Sequence, residues 1–172
     1  LVVARSARRK GLTGVRLPAE SRKCRMAVVG GGPAGIACAI RLLEAGFTVT
    51  IFEAGDRLGG TPDTIIPEER YGNAEAEVEA ILTPAFEAGR LTVEFGQGLG
   101  TDISVETLRS QFDALFIGVG LSKTTSLDQS MDGVVDALTF LKDAKRGKLA
   151  TIPERVAVLG GGNTAMDAAV TA

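Results

Sequence analysis

An α/β fold built on a parallel sheet is what this 172-residue sequence predicts, and three observations carry the prediction. Short apolar runs alternate along the chain with segments of helical length and spacing. The run Phe47–Phe52 is β-branched and nearly continuously apolar, as strands covered on both faces are. Two glycine clusters, VVGGGPAG at 28–35 and VLGGGNTA at 158–165, each stand where an apolar run gives way to a small-residue helix. The length allows one sizeable core, and 45% hydrophobic residues make the composition globular. The 22 glycines follow no collagen period and form no linker, so they are expected to act at particular turns.

The elements follow in order. Met26–Val29 is expected as a strand, Pro33–Ala45 as a helix and Phe47–Phe52 as a second strand, a βαβ unit. Pro33 suits the first helical turn, where its missing N–H costs nothing, and Gly46 is a natural left-handed stop. The stretch from Gly55 to Gly72, punctuated by Pro and Gly, reads as an ordered loop because it retains Leu58, Ile65 and Ile66. Asn73 to about Ala88 has Val78, Ile81, Leu82 and Phe86 at helical spacing, with Pro84 expected to kink or split it. RLTVEFG predicts a strand, Ser104–Gln111 a short helix, and ALFIGVG a buried strand leaving through two glycines. Gly133–Leu149 predicts an amphipathic helix with its Lys and Arg residues at the carboxyl end. Val156–Leu159 is then expected as the strand that opens the second glycine cluster.

The first cluster has the spacing Gly30-x-Gly32-x-x-Gly35. In a strand–turn–helix corner the first glycine permits the tight turn, the second lets a pyrophosphate approach the backbone, and the third lets the helix pack on its strand. The helix start adds unpaired N–H donors and a partial positive charge. Glu53 closes the second strand 23 residues after Gly30, where a carboxylate can accept from both hydroxyls of an adenosine ribose. The second cluster, Gly160-x-Gly162-x-x-Ala165, accepts alanine in third place because only close helix packing is needed there. Asn163 and Thr164 can cap exposed N–H groups, and Asp167 lies in the first turns of the new helix. Both clusters therefore point to Rossmann-like dinucleotide binding.

The net charge of −2 is uneven: residues 1–25 carry +7 and the remainder −9. The basic arm reads as a solvated leader or linker, with a nucleic-acid or membrane patch or a transit peptide as the alternatives. No apolar run approaches the length of a membrane span, so the protein is expected to be soluble. Cys24 and Cys38 are fourteen apart and histidine is absent, which excludes a Cys-x-x-Cys dithiol, a zinc site of Cys/His spacing and a histidine base within the chain. Sparse cysteine fits a reducing compartment, and cytoplasmic location is the expectation.

VVGGGPAG followed by IFEAGDRLGG resembles the flavin-binding start of the two-dinucleotide flavoprotein oxidoreductases. IPEER, ALFIGVG and VAVLGGGNTAMDAA narrow the resemblance to the family of the glutamate synthase small subunit and the electron-entry part of dihydropyrimidine dehydrogenase. The resemblance runs from about Met26 to the end. It implies FAD at the first corner, with pyrophosphate near Gly30, Gly32, Pro33 and Ala34 and ribose on Glu53. It further implies a second flavin-contacting segment at Arg57, Gly59 and Gly60, and an element near the flavin at Ile66, Pro67 and Arg70. TPDTI before that element and YGN after it depart from the family pattern. Gly118 and Gly120 would allow close backbone approach where the chain passes toward the pyridine-nucleotide portion. The resemblance assigns GGGNTAMD to NAD(P)H.

The activity so implied is hydride transfer from NAD(P)H to FAD, with electrons passed to an iron–sulfur or flavin partner, whether a subunit or a domain. A ferredoxin or adrenodoxin reductase-like enzyme and a non-catalytic dinucleotide-binding module are the alternatives; nucleic-acid and membrane partners are not expected. The expected division is a basic leader at 1–25, an incomplete FAD-binding domain at 26–150 and the start of an NAD(P)-binding domain at 151–172. The ribose-recognising position of the second site falls past Ala172 and the chain begins at Leu1, so a fragment of a longer parent is expected. Any 4Fe-4S clusters would be ligated by that parent outside this chain.

Overall fold

The computed structural model describes residues 14–72, 74–121, 132–149 and 151–172. Arg5, Arg8, Arg9 and Lys10 of the basic arm, and Asn73 at the expected helix start, lie outside the described residues. The chain divides into two compact units, Leu1–Gly60 with Ala74–Gly120, and Thr61–Asn73 with Leu121–Ala172.

The first unit is a four-stranded parallel sheet in the order β3-β2-β1-β4. Its strands are β1 (Arg25–Val29), β2 (Thr48–Glu53), β3 (Leu91–Phe95) and β4 (Ala114–Ile117). Helix α1 (Pro33–Glu44) connects β1 to β2, with Pro33 in its first turn and Gly46 (φ 94°) just past its end, as the sequence predicts. Alternation sorts the strand residues between two layers. Val28, Val49 and Ile51 pack with Ile36, Ala39 and Leu43 of α1 and with Leu82 and Ala85 of α3 (Ala74–Glu87). Ala27, Val29 and Phe52 pack with Leu108 of α4 (Val105–Gln111), and the Phe52 and Phe112 rings meet edge to face at 5.6 Å. The result is the doubly wound arrangement in which parallel strands are covered from both sides.

Three expectations in this unit are corrected. Pro84 does not split α3: Leu82 and Ala85 on either side of it are fully buried, and this packing outweighs the missing backbone bond. β4 is not buried: it is the sheet's edge, with Phe116 and Ile117 36% and 50% exposed, because only β1 pairs with it among the described residues. The arm is not wholly a solvated leader. Val15 enters the core, and the Arg90 guanidinium donates to the carbonyls of Pro18, Glu20 and Gly46, tying residues 15–22 to the turn after α1.

The second unit contains α2 (Thr61–Thr64), α5 (Ala137–Lys145) and α6 (Asn163–Thr171), with α5 packed against α6. α5 starts later than the periodicity predicts, because the Asp136 carboxylate accepts from the Thr139 N–H at 3.1 Å and caps the helix there. Residues 156–159 form no strand: among the described residues nothing supplies the parallel partner that a strand needs, and Val156 and Leu159 are 50% and 78% exposed.

Candidate functional site

The first glycine corner lies at the carboxyl ends of β1 and β4. Gly30 continues the ladder by donating to Phe52 O, and Gly118 does so by donating to Val29 O. Gly30 has φ 106°, and a side chain on it would run into the Gly118 carbonyl. Gly35 is pressed against the Gly30 carbonyl, so the third glycine serves close helix packing. Gly32 caps α1 in extended conformation (φ −80°, ψ −177°), and Pro33 and Ala34 are exposed in the first turn. That turn carries N–H groups with no intrahelical acceptor.

Glu53 reaches from the end of β2 into this corner. Its Oε2 accepts from the Gly31 N–H at 2.6 Å and its Oε1 from the Gly55 N–H at 2.7 Å. Segment 58–60 lies over the same turn: Gly59 N–H donates to Gly31 O at 2.9 Å, and Leu58 is buried. Gly59 (φ 119°) and Gly60 (φ 62°) are left-handed, and a Cβ on Gly60 would stand 2.8 Å from the Gly32 Cα. Arg57 is farther out and 45% exposed at its side chain, with Asp56 Oδ1 at 3.5 Å and Glu75 Oε2 at 3.9 Å. Gly120 (φ 74°) continues from β4 with open space where a side chain would point. Gly30, Gly31, Gly32, Gly35, Glu53, Gly59, Gly60 and Gly118 thus converge on one turn, whereas Arg57 and Gly120 stand at its margins.

Sequence reasoning did not single out Gly31. A Cβ there would lie 2.9 Å from Glu53 Oε2 and against Leu58, so this glycine makes room for the carboxylate that its own N–H receives. The uninterrupted triple glycine was its signal. Cys38 is half-buried in α1, and burial pushes its pKa up.

In the second corner Gly160 has φ 127°, and Gly162 caps α6 with φ −83° and ψ 175°. With glycine at the cap, Asn163 and Thr164 enter the helix as its first two residues, both exposed, and the expected side-chain cap is not made at Gly162. Ala165 lies with its Cβ 3.5 Å from where one on Gly160 would be, an ordinary contact. Asp167 is not turned to solvent at the corner: it is 8% exposed and accepts from Arg70 Nη1. Nothing local connects Arg70 with Asp167, 97 residues apart, so their pairing has no short-range signal along the chain.

A parallel doubly wound sheet with a glycine turn at a strand end and a helix opening from that turn is a Rossmann-like fold. Residues 24–172 match the pyridine nucleotide-disulphide oxidoreductase family, and the chain belongs to it. It is 33% identical over 156 residues to the NADP(+)-dependent formate dehydrogenase subunit beta of Moorella thermoacetica, covering 86% of this chain and 21% of that one. It is 34% identical over 160 residues to the glutamate synthase [NADPH] small chain of Mycobacterium tuberculosis (strain ATCC 25618 / H37Rv), covering 83% and 32%. The chain spans 21% to 40% of the length of these and the Cereibacter sphaeroides putative glutamate synthase small chain. Among solved structures, Mycobacterium tuberculosis FprA in complex with NADPH shares the fold with a TM-score of 0.61 at 20% identity, covering 72% of this chain and 29% of that one. A 2-naphthoyl-CoA reductase complex shares it at 0.62 and 19%, covering 92% and 23%. No helix among the described residues is long and apolar enough to cross a membrane.

Proposed function

We propose that this chain carries the FAD-holding corner and the opening of the NAD(P)H-holding corner of an oxidoreductase. When bound, NAD(P)H supplies hydride and FAD accepts it, the flavin being able to release electrons singly or in pairs to an iron–sulfur or flavin partner. In this reading Gly30, Gly32, Pro33, Ala34 and Gly35 hold the FAD pyrophosphate, and Glu53 holds the adenosine ribose. Arg57, Gly59, Gly60, Gly118 and Gly120 border the flavin side, and Gly160, Gly162, Asn163, Thr164, Ala165 and Asp167 form the NAD(P)H corner.

One observation carries the reading: Gly32 has no internal reason to be glycine. Its backbone angles suit any residue, and a Cβ there would come no nearer than 3.9 Å to a neighbour, the Gly60 Cα. Ser, Thr, Asp or Asn would cap the helix better by turning a side-chain oxygen onto its free N–H groups. Glycine leaves those donors open to an outside acceptor, the arrangement that suits a phosphate. Gly162 repeats this, with similar angles and nothing within 4 Å of its missing Cβ.

Glu53 fits as well. A carboxylate offers about four acceptor sites, and the bonds from Gly31 and Gly55 leave each oxygen able to accept again. The same two bonds hold the carboxylate still before a diol arrives, which lowers the ordering cost of binding. The chain's part is to grip phosphate and ribose with main chain and one carboxylate, with Gly59 and Gly60 allowing segment 58–60 to lie close over the turn.

The test is purification of the full natural polypeptide. The reading expects a yellow protein that bleaches on anaerobic addition of NADPH and in which Gly32→Ala lowers the FAD-to-protein ratio. A colourless protein that binds NAD(P) without redox change would overturn it in favour of a nucleotide-binding module.

A further inference from the structure

Segment 61–72 follows the sheet-forming residues in sequence but belongs to the second unit. Lys145 Nζ, at the end of α5, donates to the carbonyls of Pro62 at 3.0 Å and Ile66 at 2.7 Å and fixes the segment's first half. Its second half is a turn in which the N–H groups of Arg70 and Tyr71 both donate to Pro67 O. From that turn Arg70 Nη1 reaches Asp167 Oδ1.

Asp167 is the only charged side chain that is buried among the described residues, and with Ala168 it makes up the buried surface of α6. A buried carboxylate is tolerated when it is paired, and Arg70 supplies the pair while staying half-exposed itself. The run before α6 makes no ladder, and the corner residues Gly161 to Thr164 are exposed. α6 is thus held by one short buried stripe with the ion pair at its centre. Such an element has low local stability, and a ligand that orders its amino terminus also orders what is tied to its stripe.

We infer that Arg70 and Asp167 are a positioning pair that couples the order of the Pro67–Tyr71 turn to occupancy of the second glycine corner by a pyridine dinucleotide. The inference rests on the proposed reading of that corner. The pair ties the turn directly to the fifth residue of α6, whereas Lys145 ties Pro62 and Ile66 to α5, which meets α6 only through packing. Coupling through the pair is therefore strongest in the second half of the segment. Restraint of the corner by a bound pyrophosphate is passed through α6 and the ion pair, and the turn opens less often.

Amide hydrogen exchange on the full natural polypeptide, with and without saturating NADP+, tests this. In the native protein NADP+ slows exchange at Arg70 and Tyr71 about tenfold, an ordinary size for coupling between linked sites, and changes Ile65 and Ile66 far less. With NADP+ raised until each variant is saturated, the slowing at Tyr71 disappears in Arg70→Ala and Asp167→Asn, and Arg70→Lys recovers part of it. Exchange in β1 and β2 reports that each variant is folded. Slowing that survives in both variants overturns the inference, as does a native turn indifferent to NADP+ that demonstrably binds; both leave the corner's proposed role standing. Failure of NADP+ to bind overturns that role and the coupling with it.

Discussion

The two glycine corners have the same backbone and different surroundings. Gly30 and Gly160 both take positive φ, at 106° and 127°, and Gly32 and Gly162 cap their helices with nearly the same angles. Around the first, the ladder bonds of Gly30 and Gly118, the Glu53 carboxylate and segment 58–60 close in from three sides. Around the second, Val156, Val158 and Leu159 are exposed and pair with no strand among the described residues. The turn-and-helix shape is thus a local property of the glycines and the helix start that follows them. The strand in front of it is a tertiary property and exists only where a neighbour offers the other half of the ladder.

Among the glycine-motif positions themselves, the largest expected effect comes from the third. Gly35→Ala drives a Cβ into the Gly30 carbonyl, which cannot move without breaking the turn, and overpacking of this kind should cost about 3 kcal/mol or more. Ala165→Gly, at the matching place, should cost about 1 kcal/mol through helix propensity alone. Urea unfolding followed by circular dichroism measures both; equal losses would break the contrast between a tight corner and a loose one.

Second in size is the middle position, where the corners should behave alike. Gly32→Ala and Gly162→Ala should each leave stability within about 1 kcal/mol, since better propensity and a poorer cap nearly cancel. On the proposed reading each should nevertheless weaken the dinucleotide assigned to it by about 100-fold through lost approach of the phosphates, leaving the other untouched. Titration of the full natural polypeptide with FAD and NADP+ separates the two, and a variant that lost both ligands would show that the corners are not independent. Third is Glu53→Gln. The amide must turn its NH2 toward either the Gly31 or the Gly55 N–H, at a cost of about 1–3 kcal/mol of stability for a donor left unmet. Glu53 has no counterpart at the second corner within the described residues, so this loss should appear even without any ligand.

The sequence made the sheet and the first corner legible because their signals are short-range. Glycine spacing, Pro33, Gly46 and the alternation of Val28, Val49 and Ile51 each report on the next few residues. What it missed depends on remote partners. Pro84 reads as a breaker until Leu82 and Ala85 are seen buried on the same helix, and ALFIGVG reads as a covered strand until β4 proves to be the edge. Asp136 was readable as a cap, yet the apolar Val134 and Val135 before it extended the periodicity past the true helix start. Glu53 was found from its distance to the glycines, but its bonds to Gly31 and Gly55 were not, because a carboxylate at a strand end says nothing of which N–H groups it will meet. Arg70 and Asp167 lay farthest out of reach: no periodicity links a loop arginine to a helix aspartate 97 residues away.

The smallest effect is the sharpest probe of the comparison. Leu159 occupies the place before Gly160 that Val29 occupies before Gly30, and Val29 is 1% exposed whereas Leu159 is 78% exposed. Val29→Lys would put an ammonium into the layer beneath Phe52 and Leu108, and the first unit should not fold. Leu159→Lys in the same 172-residue chain should change stability by no more than about 0.5 kcal/mol, as at any open surface position. A loss of several kcal/mol at Leu159 would mean that the run before the second corner is covered in solution, for example by another copy of the chain. In that case the melting temperature of the native chain would rise with concentration and that of Leu159→Lys would not. If neither changes, the second corner keeps its glycine geometry with no buried strand behind it, and local chemistry alone is enough to shape it.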